Sequence, residues 1–335
     1  MSERPNHVEV TRSVIAGNAL LPLLEAHYDL QPPITCQLRF VGDNDTYQVQ
    51  AGEDVYILRV YRFGRPWIRG ADDYRFEADY LAFLHARGLS VSYAIPRRDG
   101  EFVSSISAPE GIRYWTLFSF LKGREVYPMN WEQSYLVGQK IAEIHLVSNE
   151  FSSKYQRFHT DLDFLFDQPV ANITNFLGNS HKDDVAFITR LAHQLKERIL
   201  ALDISGDGYG VIGGDFNDGN RYFTDDNAVS FFDFDCCGYG WRAYDLAVFF
   251  RNARLRGGAA EMGKPLLEGY QSVRSLSSSE MSAISLFVMA RQIWRFGCAV
   301  SEANLNGAEW VVNGYWERML EALRKWSEDD TNVPF

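Results

Sequence analysis

Asp215, Asn220 and Asp233 are the residues of this chain whose types and spacing are best suited to chemistry. Asn220 follows Asp215 by five positions, and Asp233 comes thirteen residues after Asn220. Between Asn220 and Asp233 run Arg221-Tyr222-Phe223, a polar Thr224-Asp225-Asp226-Asn227 segment, and Val229 to Phe232. Two β-rich runs flanking a polar turn predict a hairpin. A hairpin brings its ends together, so Asn220 and Asp233 should lie side by side with Asp215 close by. Two carboxylates and an amide oxygen at one point suit a hard cation such as Mg²⁺, with one carboxylate left to orient a nucleophile. Such an arrangement implies phosphoryl transfer.

The elements that must position these residues fall into two regions. At 335 residues the chain predicts about two domains or lobes, and with 46% hydrophobic residues it can bury a large interior. Alternating patterns predict strands over Gln37–Val41, Thr46–Gln50 and Val55–Tyr61, with two more near Phe102–Ser104 and Arg113–Phe120. Helical spacing predicts a helix over residues 8–28 and another from Ala71 to Arg87, the second ended by Gly88. Beyond Lys122-Gly123-Arg124, helices are expected over 131–148, 183–202, 279–303 and 308–327. The expected fold class is therefore α+β and bilobal: an antiparallel, β-rich lobe over residues 1–120, a mostly helical lobe over 121–335, and a cleft at their junction.

Composition removes several functions. A net charge of −11 argues against nucleic-acid binding, which wants a basic face. The four cysteines are too few and too scattered for a disulfide framework or a zinc site, and read as buried thiols of a reducing compartment. The polar start, MSERPNHVEVTRS, lacks the apolar core of a signal peptide, and no run approaches eighteen unbroken apolar residues. A cytoplasmic protein without membrane partner is the expectation.

Three segments resemble the aminoglycoside phosphotransferase and choline kinase family, the small-molecule branch of the protein-kinase-like fold. Gly213-Gly214-Asp215-Phe216-Asn217-Asp218-Gly219-Asn220 is similar to its His-Gly-Asp-x-x-x-x-Asn catalytic loop. Phe232-Asp233-Phe234-Asp235 resembles its metal motif, and Gly240-Trp241-Arg242-Ala243-Tyr244-Asp245-Leu246-Ala247 its Asp-Leu-Ala segment. The resemblance implies that Asp215 is the catalytic base and that Asn220 and Asp233 hold Mg²⁺ against the phosphates of ATP. It implies a second task for Asp245, whose carboxylate would accept backbone N–H groups of the catalytic loop. On the β-rich lobe it implies that Arg59 grips phosphate and is steadied by Glu77, and that Gly42–Thr46, through Asn44 and backbone N–H groups, covers the phosphates. Backbone groups of Phe118 to Gly123 would bind adenine. The acceptor would be a small-molecule hydroxyl: an amino alcohol, a hydroxy amino acid such as homoserine, or an aminoglycoside, with the Leu58–Tyr61 strand nearer to the homoserine-kinase-like and stress-kinase-like members.

Gly213 departs from the pattern, since the family has a bracing histidine there. Either Cys236 or Phe234 fills the space, or the loop is softer, and a catalytically degenerate protein that binds nucleotide or a partner without turnover is the alternative. A hydrolase using Asp215 and Asp233 is a third reading, which leaves Arg59, Glu77 and Asn220 without a task. Asp235 is open between assisting the metal and capping its loop, and Asn217 and Asp218 between substrate contact and solvent. His145 reads as a packed, hydrogen-bonded histidine, and His159, Asp161 and Asp163 as a polar loop at a helix start. The late residues Arg291, Trp294, Arg295, Glu302, Trp310, Tyr315 and Trp316 read mostly as core packing with solvated charges, though in the resembled family such helices help line the acceptor pocket.

Overall fold

A computed structural model describes residues 8–204, 206–307, 311 and 314–328. The chain divides into two compact units. One comprises Met1–Ala86, Val91–Leu121 and Ser153–Gln156, and the other the remainder.

The first unit contains helix α1 (Gly17–His27), strands β1 (Ile34–Val41), β2 (Asn44–Ala51) and β3 (Asp54–Tyr61), helix α2 (Ala71–Ala86), and strands β4 (Val103–Ala108) and β5 (Gly111–Ser119). The sheet is antiparallel throughout with order β1-β2-β3-β5-β4. Alternation along β2 turns Tyr47, Val49 and Ala51 inward, where Tyr47 and Val49 meet Leu58, Val60, Trp115 and Leu117 of neighbouring strands. Helix α1 closes this core with Leu20 and Leu24.

The helix expected over residues 8–28 begins only at Gly17. Arg12 and Ser13 explain why, because each is drawn to the sheet instead of to the preceding turn. Arg12 Nη2 donates to Gly42 O at 2.7 Å and to Asp45 Oδ1 at 2.8 Å, and Ser13 Oγ donates to Glu110 Oε2 at 2.7 Å. The connection after β1 is also tighter than expected. Asn44 and Asp45 already lie in β2, leaving Gly42-Asp43 as the turn.

The second unit is mostly helical. It contains α3 (Trp131–Ser148), the short strand β6 (His159–Thr160), α4 (Gln168–Leu177), α5 (Lys182–Leu200), β7 (Tyr209–Ile212), β8 (Arg221–Phe223), β9 (Val229–Phe231), β10 (Gly238–Trp241), α6 (Arg242–Arg256), α7 (Ala259–Gln271), α8 (Ser278–Asn306) and α9 (Tyr315–Glu328). Residues 308–310, and Trp310 with them, lie outside the described residues. Helix α3 opens with a capping box in which Asn130 Oδ1 accepts from Gln133 N and Gln133 Oε1 from Asn130 N. Two glycines let α3 and α7 approach to backbone contact. A side chain at Gly138 would collide with Leu266 O, and one at Gly269 with Tyr135 O. That approach sets Tyr270 against His145.

Helix α8 starts at a second capping box, Ser277 with Glu280. By length and composition its Ser278–Ala303 stretch is apolar enough to cross a membrane, an outcome the absence of an unbroken apolar run did not anticipate. In the structure 89% of the most apolar window of that stretch is buried, as in the core helix of a folded unit.

Candidate active site

The hairpin forms with the expected consequence. Strands β8 and β9 pair antiparallel with Arg221 opposite Phe231, and Phe232 N donates to Asn220 O at 3.0 Å. Asn220 is thus seated beside the residue preceding Asp233. Its side chain then reaches back, with Nδ2 donating to the backbone carbonyl of Asp215 at 3.0 Å. This bond fixes the amide, so that its oxygen is the end left for a ligand. Asp233 takes a left-handed backbone conformation, φ +62°, uncommon for a residue with a side chain and found where a loop aims a functional group.

The loop carrying Asp215 hangs from a buried carboxylate. Asp245, in the first turn of α6, accepts Gly213 N at 2.8 Å on Oδ2 and Gly214 N at 2.7 Å on Oδ1. His145 Nε2 joins it at 3.0 Å from Oδ2, while His145 Nδ1 lies 2.8 Å from Tyr270 Oη. Arg274 Nη1 donates to that same phenol oxygen at 3.1 Å. The Asp245 carboxylate only accepts, so in the neutral ring Nε2–H donates to it and Nδ1 accepts the Tyr270 hydroxyl proton, while Arg274 donates to the phenol oxygen. Asp245 and His145 are both fully buried.

This network carries a pH signature. Burial pushes the His145 pKa below the ordinary 6.5, with the Asp245 hydrogen bond pulling the other way. The folded value therefore lies below the unfolded one, and on acidification the unfolded chain takes up the proton first. Its contribution is complete above pH 6.5 and is lost as pH falls below that value toward the folded pKa. Denaturation midpoints measured from neutral pH downward should fall more steeply in the wild type than in His145→Gln; parallel slopes would exclude His145 from the effect.

Gly213 does not leave a void. A side chain there would collide with the ring of Phe216, which lies 4.7 Å from the Phe231 ring and 5.5 Å from the Phe234 ring, centroid to centroid. Phe216, three residues on in the same loop, fills the place expected of Cys236 or Phe234. Cys236 serves the next position instead. Gly214 has φ +76° and any side chain on it would strike Cys236 O, so only glycine fits.

The remaining loop residues have structural partners. Asn217 Oδ1 accepts Gly219 N at 2.7 Å, closing the turn. Asp218 pairs with Arg256 and accepts Asn252 Nδ2 at 3.2 Å. The backbone carbonyl of Asp235 accepts from Arg157. Asp161 Oδ1 accepts Phe164 N at 2.9 Å at a helical start, as expected.

One partner of Asp215 escaped the sequence reading. Arg291 of α8 forms an ion pair with Asp215 Oδ1, and its Nη1 donates to Gly214 O at 3.3 Å and to Tyr244 Oη at 3.1 Å. Its guanidinium stacks on Trp294, 4.4 Å from the ring centroid. Burial works to lower the Arg291 pKa, and the Asp215 carboxylate overrides it, so the net shift is upward. The available signal was Arg291 and Arg295 inside the apolar run Phe287 to Phe296, where a buried charge demands a partner.

The first unit holds the residues expected to bind phosphate. Arg59 Nη1 and Glu77 Oε1 are 2.8 Å apart, with Glu77 fully buried and Tyr61 Oη donating to Glu77 Oε2 at 3.1 Å. Asn44 is buried and its Oδ1 accepts Arg62 N at 3.3 Å. The two aspartates beside it are both matched by cations. Asp45 pairs with Arg12 and Arg113 at 2.8 Å each, and Asp43 lies 3.3 Å from Arg65.

The chain's relatives bear on what these residues do. Residues 37–277 match the family described as phosphotransferase enzyme family. The chain belongs to that family. It is 30% identical over 254 residues to the homoserine kinase of Rhizobium johnstonii, covering 72% of each chain. Among solved structures, an amicoumacin kinase in complex with AMP-PNP, Ca²⁺ and Ami superposes with a TM-score of 0.77 at 21% identity, over 95% of each chain. A microcompartment-associated aminopropanol kinase gives 0.75 at 22% identity, over 95% of this chain and all of that one. These structures share the kinase-like fold, an antiparallel sheet followed by helices. As a member of this family the chain is a phosphotransferase, and neither the binding-only alternative nor the hydrolase reading finds support among these relatives.

Proposed function

We propose that the chain is an ATP-dependent kinase that transfers the γ-phosphoryl group to a hydroxyl of a small molecule. The observation that carries this reading is the convergence of Asp215, Asn220 and Asp233 through the β8–β9 register. In the reaction, the acceptor oxygen–phosphorus bond forms as the bond to the bridging oxygen of ADP breaks. Asp215 takes up the acceptor's proton; Arg291 holds its Oδ1, which leaves Oδ2 as the oxygen to accept it. On the sheet unit, Arg59 grips phosphate oxygens with Glu77 holding its guanidinium in place, and Asn44, whose backbone carbonyl accepts Gly42 N at 3.2 Å, joins the backbone N–H groups of Gly42–Thr46 in binding phosphate.

The donor set favours Mg²⁺. Asn220 and Asp233 offer two hard oxygen donors. Mg²⁺ is held in this manner, by one or two protein oxygens with phosphates and water supplying the rest. When bound, it neutralises charge on the transferring group. The Ca²⁺ and AMP-PNP of the amicoumacin kinase structure support a divalent cation with a nucleoside triphosphate. An ATP-dependent enzyme with its cysteines as free thiols also fits the reducing cytoplasm.

Asp233→Ala tests the metal assignment. Loss of an outer partner of a metal ligand typically costs 10- to 100-fold in metal affinity, so loss of the ligand itself should weaken Mg²⁺–ATP binding by at least roughly tenfold. Calorimetric titration with ATP should show this in the presence of Mg²⁺ and a much smaller change in EDTA. Equal Mg²⁺–ATP affinity in variant and wild type would remove Asp233 from the site.

A further inference from the structure

A single buried guanidinium holds the loop that follows Asp233. Arg157 Nε donates to Cys237 O at 2.5 Å, and its Nη2 donates to Asp235 O. Around these two carbonyls the backbone turns, with Cys237 N donating to Phe234 O at 2.8 Å. Nε–H and Nη2–H lie in one rigid plane, so the guanidinium spans two acceptors at a fixed separation, which the compact ammonium of a lysine does not match. Arg157, Asp235 and Cys237 are all buried, so a substitution at Arg157 strips hydrogen bonds from two carbonyls of buried residues.

Arg157 is itself tied to the far end of the same loop. It stands two residues before β6, which pairs in parallel with β10 through His159 opposite Tyr239. Tyr239 N donates to Phe158 O at 3.3 Å, and a side chain at Gly238 would strike that same carbonyl. The guanidinium carbon lies 4.6 Å from the centroid of the Phe158 ring. The strand that leaves the loop is therefore bound to the segment that presents Arg157.

The residue at the head of the loop needs such support. Asp233 keeps φ +62°, a conformation that persists only where its surroundings over-determine it. On its N-terminal side hairpin closure does so, through Phe232 N and Asn220 O. On its C-terminal side Phe234 packs edge-on against Phe216, and the turn from Phe234 to Cys237 is the part that Arg157 fixes. That turn also abuts the loop of Asp215, since Cys236 O occupies the space a side chain at Gly214 would need.

We propose, on the kinase reading above, that Arg157 is a positioning residue for the divalent cation: by bridging Asp235 O and Cys237 O it holds the Asp233 backbone in the conformation from which the carboxylate meets the metal. It acts through Asp233 and not by contact with nucleotide or acceptor.

The test is calorimetric titration with AMP-PNP, once with Mg²⁺ and once in EDTA, on the wild type, Arg157→Gln, Arg157→Lys, Asp233→Ala and the double variant Arg157→Gln/Asp233→Ala. The readout is the ratio of the two affinities. A residue that acts through the metal lowers this ratio, whereas one that only stabilises the fold changes both affinities alike or neither. Arg157→Gln should lower the ratio by roughly tenfold and leave the affinity in EDTA unchanged, the size of effect expected when support of a metal ligand is lost. Arg157→Lys, which keeps the charge and lacks the fork, should lower it by roughly threefold or more, and it carries the test if the glutamine variant does not fold. In the double variant the ratio should match that of Asp233→Ala within about twofold, because a residue acting through Asp233 has nothing left to support. A ratio in the arginine variants equal to that of the wild type, full recovery by lysine, or losses that add in the double variant would each overturn the proposal. A wild type that binds no AMP-PNP is a different failure, which overturns the kinase reading and this proposal with it.

Discussion

Asp215→Asn lowers turnover by roughly a hundredfold or more while nucleotide binding survives, because a positioned general base contributes about 10²–10⁴ in rate. The substitution keeps the shape of the side chain and an oxygen for Arg291, but removes the proton acceptor and the charge. Arg291 is only 4% exposed in its side chain and Asp215 18%, so the variant also leaves a largely buried guanidinium without its anion. Breaking such a pair costs on the order of 3 kcal/mol when burial is complete, and less here because Asp215 is partly solvated. Turnover is therefore to be measured well below the melting temperature of the variant, with ATP affinity determined by calorimetry on the same preparation. Unchanged turnover would remove Asp215 from the mechanism.

Asp245→Asn has the second large effect, and it acts on both stability and rate. Three donors, Gly213 N, Gly214 N and His145 Nε2, converge on a carboxylate with no solvent to replace it. Asparagine offers one acceptor oxygen and turns an NH₂ group toward the remaining donors. The cost is on the order of 3–5 kcal/mol, the range for removing one partner of a buried charged network. Turnover should fall with it, since the loop that aims Asp215 hangs from those two backbone bonds. Calorimetric unfolding and steady-state kinetics on one preparation give both numbers. Wild-type stability and rate together would show that Asp245 does not hold the loop.

The sequence carried the parts of the site that local chemistry dictates. A polar turn between two β-rich runs was enough to bring Asn220 toward Asp233, because hairpin closure is a short-range event. The Arg59–Glu77 pair and the packed state of His145 were also legible, the first through the resemblance and the second through an apolar helix face. What tertiary contacts decide was not. Residues 8–16 have helical spacing, yet Arg12 and Ser13 gain more from the sheet than from another turn of α1. Helix α7 contains Gly263, Pro265 and Gly269, all helix-weakening in isolation, and α3 packs against it through that same Gly269. Phe216 filling the place of a histidine, and Arg291 reaching Asp215 from 76 positions away, depend on distances that spacing alone does not encode.

The most direct test of the account is phosphorus NMR of the protein with ATP, Mg²⁺ and a set of amino alcohols, hydroxy amino acids and aminoglycosides as acceptors. The account predicts that the γ-phosphate signal of ATP declines while a phosphomonoester of one acceptor grows in equal amount. It predicts that EDTA abolishes the transfer and that Asp215→Asn slows it by roughly a hundredfold or more. ATP that stays intact because the protein does not bind it, or ATP hydrolysed to inorganic phosphate at a rate no acceptor alters, would contradict it.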